Sequence, residues 1–160
     1  MRPNAMHFFF YGTLMDTDVL EAVVGPRAYA FLEPAILPGW RRVGMAGATY
    51  PIVVRAYGAG VDGVLAWGMD TLVCGRLQAY EGDEYTLTRL PVAVRGKTVD
   101  ASIFVPRLDR PVRPGGPWDF AEWQRRFKRR LLADLRSGRA MRLQRQPMPA
   151  RDSTPRPWRL

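Results

Sequence analysis

Four consecutive aromatic residues, 8–11, lie near the start of the sequence. A run this apolar predicts a strand that is packed on both faces. Gly12 follows directly and lets the chain bend where a side chain would clash. Asp16 is then a good helix N-cap, and Thr17–Val24 has apolar residues along one side. The pattern predicts a strand, a tight turn and a short helix as the first unit.

Runs of β-branched and aromatic residues, separated by glycine and proline, predict the other strands. They lie at residues 28–37, 40–45, 51–56, 61–67, 85–94 and 98–105. Residues 38–39 and 57–60 are predicted as turns between successive strands. Gly63 lies inside one of these strands, where a glycine often marks the close approach of two backbones.

Two later segments have helical periodicity. In the first, Asp70 is the predicted N-cap of a helix that runs to about Tyr80 and ends before Gly82. In the second, residues 119–136, large apolar side chains recur at helical spacing: Phe120, Trp123, Phe127, Leu131 and Leu135. Residues 106–117 are rich in proline and are predicted to form a connecting loop. About seven strands and three helices in irregular order predict an α+β fold, with a small barrel-like sheet flanked by helices.

The chain has 160 residues, of which 47% are hydrophobic, and this is enough to fill the core of one domain. Charged residues, prolines or glycines interrupt every apolar run before it reaches the length of a membrane helix. The first residues lack the separate apolar segment and the cleavage site of a signal peptide. We therefore expect a cytoplasmic protein that makes no membrane contact.

The formal net charge is +9, and all of the excess lies in the last third of the chain. Residues 106–160 hold fifteen Lys or Arg and five Asp or Glu, whereas residues 1–105 hold nine and ten. We predict one domain over residues 1–136 and a basic, proline-rich tail over residues 137–160. A solvated, dispensable tail is the favoured interpretation, and contact with nucleic acid or an acidic protein is the alternative.

His7 and Cys74 are the only histidine and the only cysteine. An internal disulfide and a cysteine-based zinc site are therefore excluded. Ser-His-Asp and Cys-His catalysis, and most zinc centres, would depend on His7 alone. We interpret His7 as structural or solvent-facing and Cys74 as a small apolar residue within a helix.

Glu81 differs from the other carboxylates because it ends a predicted helix directly after the apolar positions Leu77 and Tyr80. A negative charge is unfavourable at the C-terminus of a helix. If the core draws this side chain in, desolvation raises its pKa, and the carboxylate can take and return a proton near neutral pH. The equally supported alternative is an exposed residue at a helix end.

Gly12, Thr13 and Leu14 offer a second kind of site. If their backbone amides point into one concavity, they can bind a carboxylate or a developing oxyanion without any charged side chain. A plain first strand and tight turn is the alternative.

Four segments, in this order, resemble the gamma-glutamylcyclotransferase-like superfamily. They read Phe-Phe-Tyr-Gly-Thr-Leu, Val-Asp-Gly-Val-Leu, Leu-Gln-Ala-Tyr-Glu-Gly-Asp-Glu-Tyr and Trp-Asp-Phe-Ala-Glu-Trp. The resemblance extends over residues 6–135. It is closest to the branch that is named for a plant avirulence-induced protein and includes gamma-glutamylamine cyclotransferases. It implies a small mixed β-barrel flanked by helices.

The resemblance also implies a reaction and its residues. Glu81 matches the catalytic acid/base of the family. The positions that match its substrate-binding residues are Tyr11, Gly12, Thr13, Leu14 and Tyr85. In the family reaction, the α-amine of a gamma-glutamyl group attacks its own side-chain carbonyl, which gives 5-oxoproline and a free amine. Because nucleophile and electrophile belong to one substrate, neither a metal nor a cofactor is required.

A non-catalytic module is the competing hypothesis. It would keep the pocket to bind a small metabolite, while the basic tail contacts nucleic acid or an acidic protein. The identity of the leaving amine and the oligomeric state are open at this point.

Overall fold

Strands and helices follow one another in irregular order in the computed structural model, which describes residues 5–109 and 112–138. Within these residues the chain forms five strands and four α-helices. The strands are β1 (Ala5–Phe10), β2 (Phe31–Gly44), β3 (Pro51–Asp70), β4 (Tyr85–Val94) and β5 (Lys97–Pro106). The helices are α1 (Thr17–Val24), α2 (Cys74–Glu81), α3 (Phe120–Arg126) and α4 (Lys128–Arg136). The predicted tail lies outside the described residues, apart from positions 137 and 138.

The five strands close into a barrel in the order β1, β3, β2, β4, β5. Neighbouring strands are antiparallel except for β1 and β5, which run parallel and pair at Phe8 and Ser102. β2 and β4 meet at Ile36 and Ala93. The predicted α+β fold, a small mixed β-barrel flanked by helices, is confirmed.

Successive aromatic residues of the first strand point to opposite sides of the barrel wall. Phe9 and Tyr11 pack with apolar side chains from all the other strands, and this cluster fills the barrel. Phe8 and Phe10 pack with side chains of all four helices on the outside. All four aromatic residues are buried, so the prediction of a strand packed on both faces is confirmed.

The two predicted turns at residues 38–39 and 57–60 are wrong, because β2 and β3 each continue through the glycines that suggested a break. Residues 38 and 40 of β2 pair with residues 60 and 55 of β3, so Gly39 lies opposite residues 56–59. Tyr57, in the longer segment, is fully exposed. The chain therefore bulges outward without reversing, and four of the seven predicted strands merge into two.

The last helix is divided at Phe127, where the apolar spacing predicted one continuous helix. Phe127 has a φ of −126° and a ψ of −21°, which depart from helical values. Trp123 and Leu131, one on each side of the division, are both buried. The spacing thus predicted the buried face correctly but gave no sign of the break at Phe127.

The predicted helix signals are confirmed. The Asp16 side chain accepts hydrogen bonds from two backbone N–H groups in the first turn of α1. The Asp70 side chain accepts one from Leu72, in the 3-10 turn that leads into α2. Gly82 has a φ of +84° and ends α2, as a glycine at this position commonly does.

Gly63 of β3 lies directly against the end of β1, which confirms the expected approach of two backbones. A β-carbon at this position would lie 2.5 Å from the carbonyl oxygen of Phe10 and closer still to the ring of Phe9. We expect Gly63→Ala to lower the free energy of unfolding by about 1–3 kcal/mol, because β1 would have to move away from β3. Urea denaturation followed by circular dichroism measures this.

Gly75→Ala is the matched control for Gly63→Ala. Gly75 lies within α2, and nothing lies within 4 Å of a β-carbon placed there. The control should be neutral or more stable by up to about 1 kcal/mol, because alanine favours a helix over glycine. A Gly63→Ala protein as stable as the wild type would contradict the close approach.

Candidate active site

A tight 3-10 turn, Thr13–Met15, follows β1 directly. The backbone N–H of Met15 donates to the carbonyl of Gly12 at 3.0 Å, and that of Asp16 donates to the carbonyl of Thr13 at 3.2 Å. The N–H groups of Thr13 and Leu14 precede the first bonded donor, so the turn itself does not use them. A β-carbon on Gly12 would lie 3.1 Å from the ring of Pro51, so the turn packs directly on the start of β3.

Asp16 connects this turn to the two C-terminal helices. Its buried carboxylate caps α1 and also accepts hydrogen bonds from Gln124 and from Lys128, both at 2.8 Å. Burial alone would raise the pKa of Asp16. The hydrogen bonds from Lys128, Gln124 and the backbone of Val19 outweigh burial and hold this pKa below its usual value.

Glu81 is the last residue of α2, and the preceding turn of that helix is anchored in the core. Leu77 and Tyr80 are almost completely buried. The Tyr80 hydroxyl lies 2.6 Å from the hydroxyl of Thr13, and this hydrogen bond ties the end of α2 to the turn after β1. Glu81 itself is half-buried.

One narrow cavity lies between the turn and the end of α2. The space within it is small, about 20 Å³, and it opens to solvent. All six residues that the sequence singled out line it: Tyr11, Gly12, Thr13, Leu14, Glu81 and Tyr85. The structure thus brings together residues from β1, the turn, α2 and β4, and their roles in catalysis and binding stay predictions.

Four buried tyrosines lie close enough to Glu81 to be affected by its charge. Burial raises the pKa of Tyr11, Tyr50, Tyr80 and Tyr85, and the negative charge of Glu81 raises each of them further. These phenols therefore remain protonated at neutral pH and act as neutral hydrogen-bond groups.

Two of the cavity tyrosines are fixed by hydrogen bonds to distant backbone carbonyls. The Tyr11 hydroxyl donates to Phe104 of β5 at 2.6 Å, and the Tyr85 hydroxyl donates to Pro51 of β3 at 3.2 Å. Each bond is buried. The phenol rings consequently form rigid walls of the cavity.

The sequence did not point to every wall residue. Tyr50, Pro51 and Phe104 also line the cavity, together with Phe9 and Phe10 of β1. In the sequence, Tyr50 and Pro51 appear only as the start of a β-branched strand, and Phe104 lies within an apolar one. Strand pairing brings these residues to the cavity, and no local sequence pattern predicts that position.

His7 and Cys74 do not line this cavity. His7 accepts a hydrogen bond from the backbone of Gly68 and packs edge-on against Trp67, which are the structural contacts expected of it. Among residues 5–109 and 112–138, no group of three or more His, Cys, Asp or Glu side chains is placed to hold a metal ion. No helix in this described part of the chain is long and apolar enough to cross a membrane.

The fold and the cavity place this chain among small mixed β-barrel proteins, here with a glutamate at a helix end beside a tight turn. Residues 8–123 match the family model described as gamma-glutamyl cyclotransferase, AIG2-like, and the chain belongs to this family. Membership supports a gamma-glutamyl cyclotransferase-type activity on a small-molecule substrate.

Two curated relatives come from Arabidopsis thaliana. AIG2-like protein A is 26% identical over 128 residues, which cover 78% of this chain and 75% of the relative. AIG2-like protein B is 24% identical over 127 residues, which cover 77% of this chain and 72% of the relative.

Solved structures share the fold at low sequence identity. The solution structure of an Arabidopsis thaliana protein superposes with a TM-score of 0.64 at 21% identity, covering 92% of this chain and 98% of the other. A gamma-glutamyl cyclotransferase gives 0.61 at 16% identity, with coverages of 83% and 87%. A yeast gamma-glutamyl cyclotransferase specific to glutathione gives 0.56 at 13% identity, with coverages of 86% and 98%.

The buried ion pair of Asp16 predicts a pH-dependent contribution to stability. Asp16→Asn keeps a capping oxygen but removes the charge that Lys128 contacts, so we expect a loss of about 1–3 kcal/mol at pH 7. Because the pKa of Asp16 is lowered in the folded protein, this stabilisation is complete above the usual Asp pKa of about 4 and disappears as the pH falls through the lowered value. Urea denaturation between pH 3 and 7 would measure the difference between the two proteins.

Asp18→Asn is the control, because Asp18 contacts the same lysine at 2.7 Å but is exposed. It should change stability by less than about 1 kcal/mol. An Asp16→Asn effect no larger than that of the control, or one that grows at acid pH, would refute the role of the buried pair.

Proposed function

We propose that this protein is a gamma-glutamyl cyclotransferase that uses Glu81 as its general acid/base. The observation that carries the proposal is the position of Glu81, half-buried at the wall of a narrow cavity that the turn after β1 also lines. The reaction joins the α-nitrogen of a gamma-glutamyl group to its own side-chain carbonyl carbon. It then breaks the bond between that carbon and the leaving nitrogen, and the products are 5-oxoproline and a free amine.

The proton steps fit one carboxylate. The α-ammonium must lose a proton before it can attack, and the leaving nitrogen must gain one before it departs. Glu81 can accept the first proton and return it in the second step, so the enzyme ends in its starting state. The four protonated tyrosines around it cannot act as the base at neutral pH, because their pKa values are raised.

The turn after β1 suits the carbonyl end of the reaction. Attack places negative charge on the side-chain carbonyl oxygen, and backbone N–H groups stabilise such charge when they are aimed at it beforehand. The donors that we assign to this role are the N–H groups of Thr13 and Leu14, which the turn itself does not use, together with that of Gly12. The site would therefore need no cationic side chain at the oxyanion.

The rigid tyrosines suit the folding of the substrate. Ring closure requires the gamma-glutamyl chain to bend back so that its amine meets its own carbonyl, and a narrow cavity favours that compact conformation. Tyr11 and Tyr85 are held by buried hydrogen bonds on two sides of this cavity. We assign them to contact with the gamma-glutamyl part, while the leaving amine extends toward the opening.

Glu81→Gln tests the proposal, because it keeps the shape of the side chain and removes the proton carrier. We expect the release of 5-oxoproline from the best substrate to fall by about 10²–10⁴-fold. The measurement is 5-oxoproline formation from a panel of gamma-glutamyl amines and gamma-glutamyl dipeptides, with the wild type and the variant at equal folded concentration.

Glu84→Gln is the matched control. Glu84 lies near Tyr50 and Tyr85 and is half-buried, but it does not line the cavity. This variant should retain most of the turnover. Turnover that survives in Glu81→Gln but is lost in Glu84→Gln would mean that the wrong carboxylate was chosen, and a folded wild type inactive on every panel member would defeat the proposed reaction.

A further inference from the structure

Arg42 of β2 is a half-buried arginine with two backbone partners. Its Nη1 donates to the carbonyl of Tyr11 at 3.1 Å and to the carbonyl of Asp62 at 2.7 Å. Its guanidinium carbon lies over the ring of Trp118, 5.5 Å from the ring centre. The side chain therefore joins the end of β1, the middle of β3 and the segment before α3.

Desolvation disfavours the charged form of an arginine in such a place. Burial lowers the pKa of Arg42, and the nearby carboxylates of Asp62 and Asp119 counteract this in part. An apolar residue would fill the same space without desolvating a charge. The contacts of the guanidinium thus call for an explanation beyond packing.

The geometry of the peptide bond between Tyr11 and Gly12 offers an explanation for the contacts of Arg42. A trans peptide points its carbonyl and its N–H in opposite directions, and the described residues contain no cis peptide bond. A carbonyl of Tyr11 that is held toward Arg42 turns the N–H of Gly12 away from Arg42. Gly12 lines the cavity, whereas Arg42 does not.

We infer that Arg42 is a positioning residue, which grips the carbonyl of Tyr11 and thereby aims the N–H of Gly12 into the cavity. This inference rests on the proposed function, in which that N–H stabilises the oxyanion. Arg42 itself touches neither the substrate nor the reacting atoms.

The same arginine also connects a second wall of the cavity. Trp118, on which the guanidinium lies, donates its indole N–H to the carbonyl of Thr49 at 2.9 Å. Thr49 precedes Tyr50, which lines the cavity. Arg42 and Trp118 therefore contact both the turn after β1 and the residue before Tyr50 without lining the cavity themselves.

Arg42→Met, compared with Arg41→Met, tests the inference. Both changes remove one positive charge and keep an unbranched side chain. Arg41, however, is exposed and lies on the opposite face of β2 from Arg42. We expect kcat of Arg42→Met to fall by about 10–100-fold with KM little changed, because the misdirected N–H is needed most in the transition state. Arg41→Met should keep the wild-type kcat.

Two further variants separate positioning from a loss of folding. Arg42→Lys restores a charged donor without the planar guanidinium and should recover part of kcat. In Arg42→Ala, millimolar guanidinium added to the assay should raise kcat, whereas the same addition should leave the wild type and Arg41→Met unchanged. A merely unstable variant would gain nothing from this ion.

A readout that does not require turnover is the NMR resonance of the Gly12 amide. Its proton and nitrogen shifts should move in Arg42→Met and stay in place in Arg41→Met. If the wild type releases no 5-oxoproline, the proposed reaction fails, and this resonance still decides whether Arg42 orients the peptide. An unmoved Gly12 resonance, an unchanged kcat, or an equal loss of kcat in Arg41→Met would overturn the inference.

Discussion

The burial of β1 on both faces is the constraint on which the rest of the structure depends. This strand closes the barrel by pairing with β3 on one side and β5 on the other, and its alternate rings fill the barrel and support the helices. Such a strand leaves no freedom in where its end lies. The turn from Gly12 therefore lies at a fixed place against Pro51, and the backbone N–H groups that we propose to bind the oxyanion need this fixed position more than they need any particular side chain.

Around that turn, tyrosines with neutral hydroxyl groups lie near the carboxylate of Glu81. The hydroxyl groups of Tyr11 and Tyr85 donate hydrogen bonds to backbone carbonyls, and the Tyr80 hydroxyl is hydrogen-bonded to that of Thr13. Each tyrosine therefore has a partner that does not depend on substrate. Their raised pKa values keep them protonated over the range in which a carboxylate titrates. A wall of this kind shapes the cavity without taking up or releasing protons near neutral pH, which is consistent with the proton transfer that we propose for Glu81.

Sequence patterns predicted the parts of this site that are local. The apolar run of β1, the cap at Asp16 and the stop at Gly82 each depend on neighbours within a few residues, and all three are present. Arg42 and its contact with Tyr11 depend on residues 31 positions apart, which only the pairing of strands brings together. The same limit explains the false turn at Gly39, since a bulge and a reversal use the same residue types and differ only in what the partner strand does.

Some of the basic residues in the C-terminal helices form ion pairs within the domain, so a basic composition does not by itself indicate a binding surface. Lys128 contacts the buried carboxylate of Asp16 and the exposed one of Asp18, and Arg126 pairs with Glu122 within α3. Part of the excess charge is thus used inside the domain, where it holds the start of α1 against α4. Because Asp16 directly follows the turn that lines the cavity, Lys128 of α4 helps to fix the end of β1 from more than a hundred residues away along the chain. The ion pair of Lys128 with Asp16 is therefore structural support for the turn that lines the cavity.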